Sequence, residues 1–319
     1  MCKHAGNISI SSLCCINTYT LQQSILSSSH NQVPYQDQVS IEAMWSFLSY
    51  ANTPDQQVQC FQKAWDAPIM KKLSRAIDTS AKSDVEQSLT KSGLFPHSED
   101  WLQAPPIASV GLLLSDEEIR LVVAYRLYTR ACSSYTCTCG KAVDARRSCR
   151  RSTPHHQCHS MINNIIWRAI KRAKILTYKE PTGLMIQNSK HPDGATLISW
   201  SRSKALAWDI TIPDTYAVSH HQSTAIEAGS AVNHAAEMKC TKYRELDATH
   251  IFILIAIETA GTWDIQAVKL VEEIGRWCTL QTDDPKETIY LYQCIAIAIQ
   301  RGNALSFTHT FDIDIDINT

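Results

Sequence analysis

Nothing in these 319 residues is apolar over bilayer length. The longest candidate, Ile251 to Ile257, suits a buried strand, so the sequence gives no reason to expect a membrane span. An excess of either charge is also missing. Thirty Lys and Arg against 31 Asp and Glu give a net charge of −1, which argues against a surface wholly coated with nucleic acid. The start, Met1-Cys2-Lys3-His4, lacks a compact apolar stretch followed by a small-residue cleavage site, so the expected location is intracellular. Without an export signal, the 12 cysteines are expected as reduced thiols rather than a disulfide framework. What remains, 44% hydrophobic and 19% charged residues, can bury a sizeable core in one or two domains.

The most informative stretch runs from His191-Pro192-Asp193 to Trp208-Asp209-Ile210-Thr211. Residues Gly194 to Trp200 and Ala205 to Ile212 are rich in Ile, Leu, Trp and Thr. Ser201-Arg202-Ser203-Lys204 between them is polar enough to turn the chain, so a β-hairpin is expected. Side chains alternate along a strand, so Asp209 shares a face with Ala207 and Thr211, while Asp193 opens the first strand. Strand pairing brings the two carboxylates to one end, where hard oxygen donors suit Mg²⁺ or Mn²⁺ and leave room for water and a phosphate. The plainer reading makes Pro-Asp-Gly an ordinary turn and Asp209 a surface residue.

A basic block lies between Lys141 and Lys179. Arg146, Arg147, Arg150, Arg151, Arg168, Lys171, Arg172 and Lys174 fall there with Asp144 as the only acidic residue. It reads either as a phosphate-neutralising surface or as a solvated helix face and loop. Cys137-Thr138-Cys139-Gly140 in the same region looks like half of a zinc knuckle, with Cys149, Cys158, His155, His156 and His159 available to complete it. Unligated surface thiols are the alternative.

Five parts are expected along the chain. Residues 1–40 are Ser-, Asn- and Gln-rich with few periodic apolar positions. Residues 41–131 are helical, with a helix starting at Ser115 and Glu118 completing a capping box, its buried side formed by Leu113, Ile119, Val122, Val123 and Leu127. Residues 132–159 carry the cysteines. Residues 160–303 read as helix, hairpin, helix, strand and two helices, hence an α/β core, and 304–319 form a tail. Within the fourth part, Met161, Ile162, Ile165, Ile166, Ala169 and Ile170 give the first helix an apolar stripe, with Asn163, Arg168, Lys171 and Arg172 outward. A long helix spans Thr224 to Leu246 and sets Lys239 and Lys242 on one face. A buried strand follows over His250 to Glu258, then helices over Ile265 to Leu280 and Lys286 to Arg301, the last closed by Gly302-Asn303.

An ordered series of segments resembles the C-terminal region of non-LTR (LINE-type) retrotransposon polyproteins. The series comprises Cys137-Thr138-Cys139-Gly140-Lys141, His159-Ser160-Met161-Ile162-Asn163, Glu180-Pro181-Thr182-Gly183-Leu184, Pro192-Asp193-Gly194-Ala195-Thr196, Trp208-Asp209-Ile210-Thr211, Lys242-Tyr243, Ile257 to Trp263 and Gln300-Arg301-Gly302-Asn303. Trp65-Asp66-Ala67-Pro68 and Trp101-Leu102-Gln103-Ala104 resemble the helical segment before it. The resemblance covers roughly Cys60 to Phe307 and implies a zinc knuckle followed by a restriction-like endonuclease core of the PD-(D/E)xK type. The implied activity is metal-dependent nicking of target DNA. The alternative is a catalytically decayed transposon fragment that binds nucleic acid weakly.

By that resemblance Asp193 and Asp209 are the Mg²⁺ or Mn²⁺ ligands. Thr211 stands where many such nucleases carry Lys, so Lys239 or Lys242 supplies the amine, and Glu180 is an additional acidic residue or merely a cap before Pro181. Zn²⁺ falls to Cys137, Cys139, Cys149, His155 and His159. DNA contacts fall to Arg146, Arg147, Arg150, Arg151, Arg168, Lys171 and Arg172. DNA and the element's RNA are the implied partners and the nucleus the implied compartment, with neither a membrane nor a small-molecule substrate. Some positions depart from the family pattern. The interval Arg146-Arg147-Ser148-Cys149 lacks the knuckle's usual His, His191 precedes the Pro-Asp pair where a basic residue is general, and Cys158 and Cys294 fall where Arg is expected. No Tyr/Phe-x-Asp-Asp polymerase signature is present.

Overall fold

A computed structural model describes residues 83–131, 154–185, 191–217 and 220–308, with scattered positions between 72 and 81 and between 134 and 143. From Ser83 on, the described residues form one compact unit. Its described helices are α1 (Asp84–Gly93), α2 (Asp100–Gln103), α3 (Asp116–Arg126), α4 (Pro154–Arg172), α5 (His221–Ile226), α6 (Ser230–Lys242), α7 (Ile265–Thr282) and α8 (Glu287–Thr308). Two short strands, β1 (Tyr135–Thr136) and β2 (Ala142–Val143), pair antiparallel across the segment holding Cys137 and Cys139, which lie outside the described residues.

The main sheet holds β3 (Thr177–Lys179), β4 (Gly194–Ser201), β5 (Lys204–Thr211) and β6 (His250–Ala256) in that spatial order. The first three run antiparallel, and β6 joins β5 in parallel, with Asp209 beside Leu254. A parallel neighbour needs a crossover, and here α5, α6 and a 3-10 turn over Arg244–Ala248 provide it. The fold is mixed α/β.

Alternation along β5 sorts its residues into two layers. Leu206, Trp208 and Ile210 enter a core made with Ile162, Ile166 and Ile170 of α4, Leu270 and Ile274 of α7 and Ile295 and Ile299 of α8. Ala207 on the opposite face packs with Tyr243 and Leu246. The apolar helix α8 passes between layers, because its other flank, with Ala296, Ile297, Ala304 and Phe307, packs with Leu121, Val122 and Tyr125 of α3. Among the described residues no helix is long and apolar enough to cross a membrane.

Several expectations about elements change. The capping box at Ser115 and Glu118 forms, but α3 buries Leu121, Val122, Tyr125 and Arg126, leaving Leu113 and Ile119 exposed. Arg126 turns inward because its guanidinium donates to the Ala260 carbonyl. The helix expected over Thr224 to Leu246 is broken at Gly229, whose φ of +87° an L side chain rarely adopts. Helix α8 runs on through Gly302 and Asn303 to Thr308. Glycine is accommodated there because a Cβ would meet the Sγ of Cys158 at 2.5 Å. Asn163, expected outward, is buried, since its side chain bonds to Trp208 of β5 and to Asp193 at the entry to β4. Strand β3 has no counterpart among the expected elements.

Candidate functional site

The register of the β4–β5 hairpin creates the site. Gly194 pairs with Trp208 and Ala195 with Ala207, so one further step sets Asp193 opposite Asp209. Directly opposed residues in an antiparallel pair present their side chains on one face. Gly194 is required at this step, because a Cβ there would come within 2.0 Å of the Trp208 ring. The Trp208 indole donates to Asn163 Oδ1 at 3.0 Å, and the Asn163 amide donates to the Asp193 carbonyl at 3.2 Å. The buried Asn therefore ties α4 to both strands. At the far end of the hairpin, Arg202 and Ser203 both have positive φ, 51° and 61°, as a two-residue turn of the primed type demands.

Both carboxylates line one cavity of about 550 Å³. Asp193 Oδ2 accepts the Ile210 backbone N–H at 2.6 Å and lies 3.0 Å from His159 Nε2. Asp209, only 4% exposed, takes the Lys239 ammonium at 2.5 Å on Oδ2 and the Tyr243 hydroxyl at 2.9 Å on Oδ1. Lys242 donates to the same hydroxyl at 2.7 Å and lies 4.2 Å from the tyrosine ring centre. Helix α6 thus delivers Lys239 and Lys242 with the next residue, Tyr243, to the cavity wall. His156 and His159 from the first turns of α4, with His191, Thr211 and Ile212, complete much of the lining.

Electrostatics bind these groups into one centre. His159 is held above the ordinary histidine value, first by its hydrogen bond to Asp193 and further by the charges of Asp193 and Asp209. Burial pushes the Tyr243 hydroxyl up, and the fields of Asp209 and Asp193 push it the same way. The negative charge of both aspartates is therefore felt at two separate points on the wall. Among the described residues no group of three or more His, Cys, Asp and Glu side chains is arranged to enclose an ion.

The other expected site residues lie elsewhere. Glu180 is exposed, with φ of +48°, and it is its backbone N–H that donates to the Asp193 carbonyl at 3.1 Å. Arg172 is engaged by the buried carboxylate of Glu287 at 2.6 Å. Arg168 and Lys171 are exposed. Arg146, Arg147, Arg150, Arg151, Cys137, Cys139, Cys149 and the side chain of His155 lie outside the described residues. Of the histidines considered for zinc, His159 turns its Nε2 to Asp193. Cys158 is buried against α8, its thiol donating to the Ala298 carbonyl at 3.6 Å and pushed up by burial to about 12, which disfavours the thiolate a metal needs.

Sequence reasoning singles out neither Tyr243 nor Asn163 as a site residue. Tyr243 follows Lys242 directly, so a helix that ends with its last side chain turned to the sheet was the available signal. Asn163 beside the apolar stripe of α4 gave none, because an Asn at that position reads as solvated. Compared with models of protein families the chain matches none, and it matches no curated protein.

Proposed function

We propose that the cavity is the active site of a metal-dependent DNA endonuclease with a restriction-like core. The observation that carries this reading is the pairing of Asp193 with Asp209 in one cavity, with a lysine ammonium on Asp209. Two carboxylates, one of them already hydrogen-bonded to the His159 imidazole, fit a hard divalent cation such as Mg²⁺, which keeps several waters and is held by one or two carboxylates plus substrate oxygens. They do not make a closed site for a soft metal. Helix, hairpin, helix and strand succeed one another in the order expected from the sequence pattern, and this order is compatible with the same reading.

In this reading Asp193 and Asp209 would hold the cation. A bound cation supplies Lewis-acid charge and lowers the pKa of a water. Lys239, paired with Asp209 from α6, would supply a positive charge beside the carboxylates that offsets charge building on a phosphate. Tyr243 fixes the second Asp209 oxygen, so the carboxylate presents one orientation. Asn163 and the Ile210 N–H do the same for the Asp193 segment. Cys137, Cys139 and Cys149 as zinc ligands remain a proposal on sequence alone.

The test is incubation of supercoiled plasmid with the full chain and Mg²⁺ or Mn²⁺. Wild type is expected to produce open circles, and Asp209→Asn to lose at least a hundredfold in rate while melting cooperatively. Equal nicking by both, or none by well-folded wild type, contradicts the reading and leaves the decayed fragment.

A further inference from the structure

Helix α4 leaves the cavity carrying an aromatic flanked by two cations. The Lys171 ammonium lies 4.5 Å from the centre of the Trp167 ring, and the Lys179 ammonium of β3 lies 4.7 Å from it. Lys179 also donates to the Asn164 side-chain oxygen. Asn164, Trp167, Arg168 and Lys171 share one face of α4, since positions three and four apart are neighbours on a helix. The described ion pairs of this unit include neither Lys171 nor Lys179. Two ammonium groups gathered at one indole repel each other, and the ring compensates only in part. Among the described residues the indole N–H of Trp167 meets no acceptor.

The strip starts at the candidate catalytic centre. Lys179 pairs with Gly194, the residue after Asp193. His159, on Asp193, precedes Trp167 by eight positions of the same helix, about 12 Å along its axis. That is about a third of a duplex turn of roughly 34 Å.

We infer that Lys171, Lys179 and Trp167 form a phosphate-binding rail for the backbone of duplex DNA flanking the scissile bond. Charge selects the occupant: ammonium groups with neutral hydrogen-bonding neighbours suit a polyanion bound without regard to sequence. Arg168 extends the rail, whereas Arg172, committed to Glu287, does not. The inference rests on reading the cavity as a DNA-cleaving site, and it fixes the path of the substrate across the molecule.

Fluorescence anisotropy with a labelled 30-base-pair duplex, in EDTA and over a series of salt concentrations, tests it without catalysis. The double variant Lys171→Gln/Lys179→Gln is expected to weaken binding about tenfold at moderate salt. It should also lower the slope of log affinity against log salt by about 1.8, at roughly 0.9 for each phosphate no longer neutralised. Lys269→Gln/Arg276→Gln removes the same charge from α7 and is expected to leave the slope unchanged. Equal slopes for the two double variants, or a loss confined to single-stranded RNA of the same length, would overturn the rail. Because no divalent ion is present, an inactive but DNA-binding protein separates failure of the nuclease reading from failure of the rail.

Discussion

Gly194 and Trp208 set the carboxylate register more firmly than the aspartates do. A methyl group at Gly194 would overlap the indole, so Gly194→Ala is expected to cost about 1–3 kcal/mol through forced displacement. Gly93→Ala, where a Cβ meets nothing within 4 Å, is expected to be nearly neutral. Chemical denaturation of the two variants checks the contrast. The Asp209–Lys239 pair gives a second expectation. Lys239→Met leaves a buried carboxylate with the tyrosine hydroxyl as its remaining described side-chain partner, at a cost of about 1–3 kcal/mol. Removing both charges in Asp209→Asn/Lys239→Met is expected to recover much of that stability, since a buried pair is costly mainly when broken on one side. A double variant less stable than the sum of the singles would contradict it. Asp193 and Asp209 were legible as a facing pair because strand alternation is local, whereas Lys239 and Lys242, placed on one helix face by their spacing, were named for the site only by the family resemblance. Asn163 and His159 were not legible, because their roles come from partners 30 and 34 residues on, reached only through strand pairing.

Among the elements, the β4–β5 hairpin was readable in outline from its β-branched residues and polar turn. Its turn is chemically unfavourable as written. Arg202 and Ser203 both occupy the left-handed region, where a side chain costs about 1–2 kcal/mol. Arg202→Asn/Ser203→Gly is therefore expected to raise the melting temperature without altering the site at the hairpin's other end, a point checked by calorimetry and nicking rate together. Strand β3 was not legible because three residues are too few for period-two alternation to register. The break in the crossover helix depended on Gly229, one residue inside an alanine-rich run that reads as continuous. Helix α8 passes Gly302 for the opposite reason, since the glycine there answers a close approach by Cys158 and caps nothing.

At the scale of the molecule, the loop after β6 joins the helical layer to the sheet. Thr259 meets the Tyr125 hydroxyl at 2.7 Å, the Asn303 amide donates to the Thr259 carbonyl at 2.8 Å, and Arg126 donates to Ala260. Glu258 in the same loop is fully buried, with one carboxylate oxygen that has no hydrogen-bond partner among the described residues. Burial pushes it up to about 7 from an ordinary 4.5. The folded chain thus holds a proton that the unfolded chain releases near pH 4.5. Stability from this group is full below that pH, declines as pH rises to about 7 and stays low above it. Glu258→Gln is expected to flatten this decline and to be more stable than wild type at pH 8. A melting-temperature profile from pH 4.5 to 8 with the same slope for both proteins would contradict that. The pH dependence was invisible in the sequence, where Glu258 reads as a polar end to an apolar strand.

Manganese binding tests the central claim most directly, because it asks whether Asp193 and Asp209 form one cation site before any chemistry occurs. Titration of the full chain with Mn²⁺, read by electron paramagnetic resonance of the free ion, is expected to show a site that Asp193→Asn/Asp209→Asn abolishes while the variant keeps its fold. Undiminished binding in the double variant, or no Mn²⁺ taken up by folded wild type, would contradict the account.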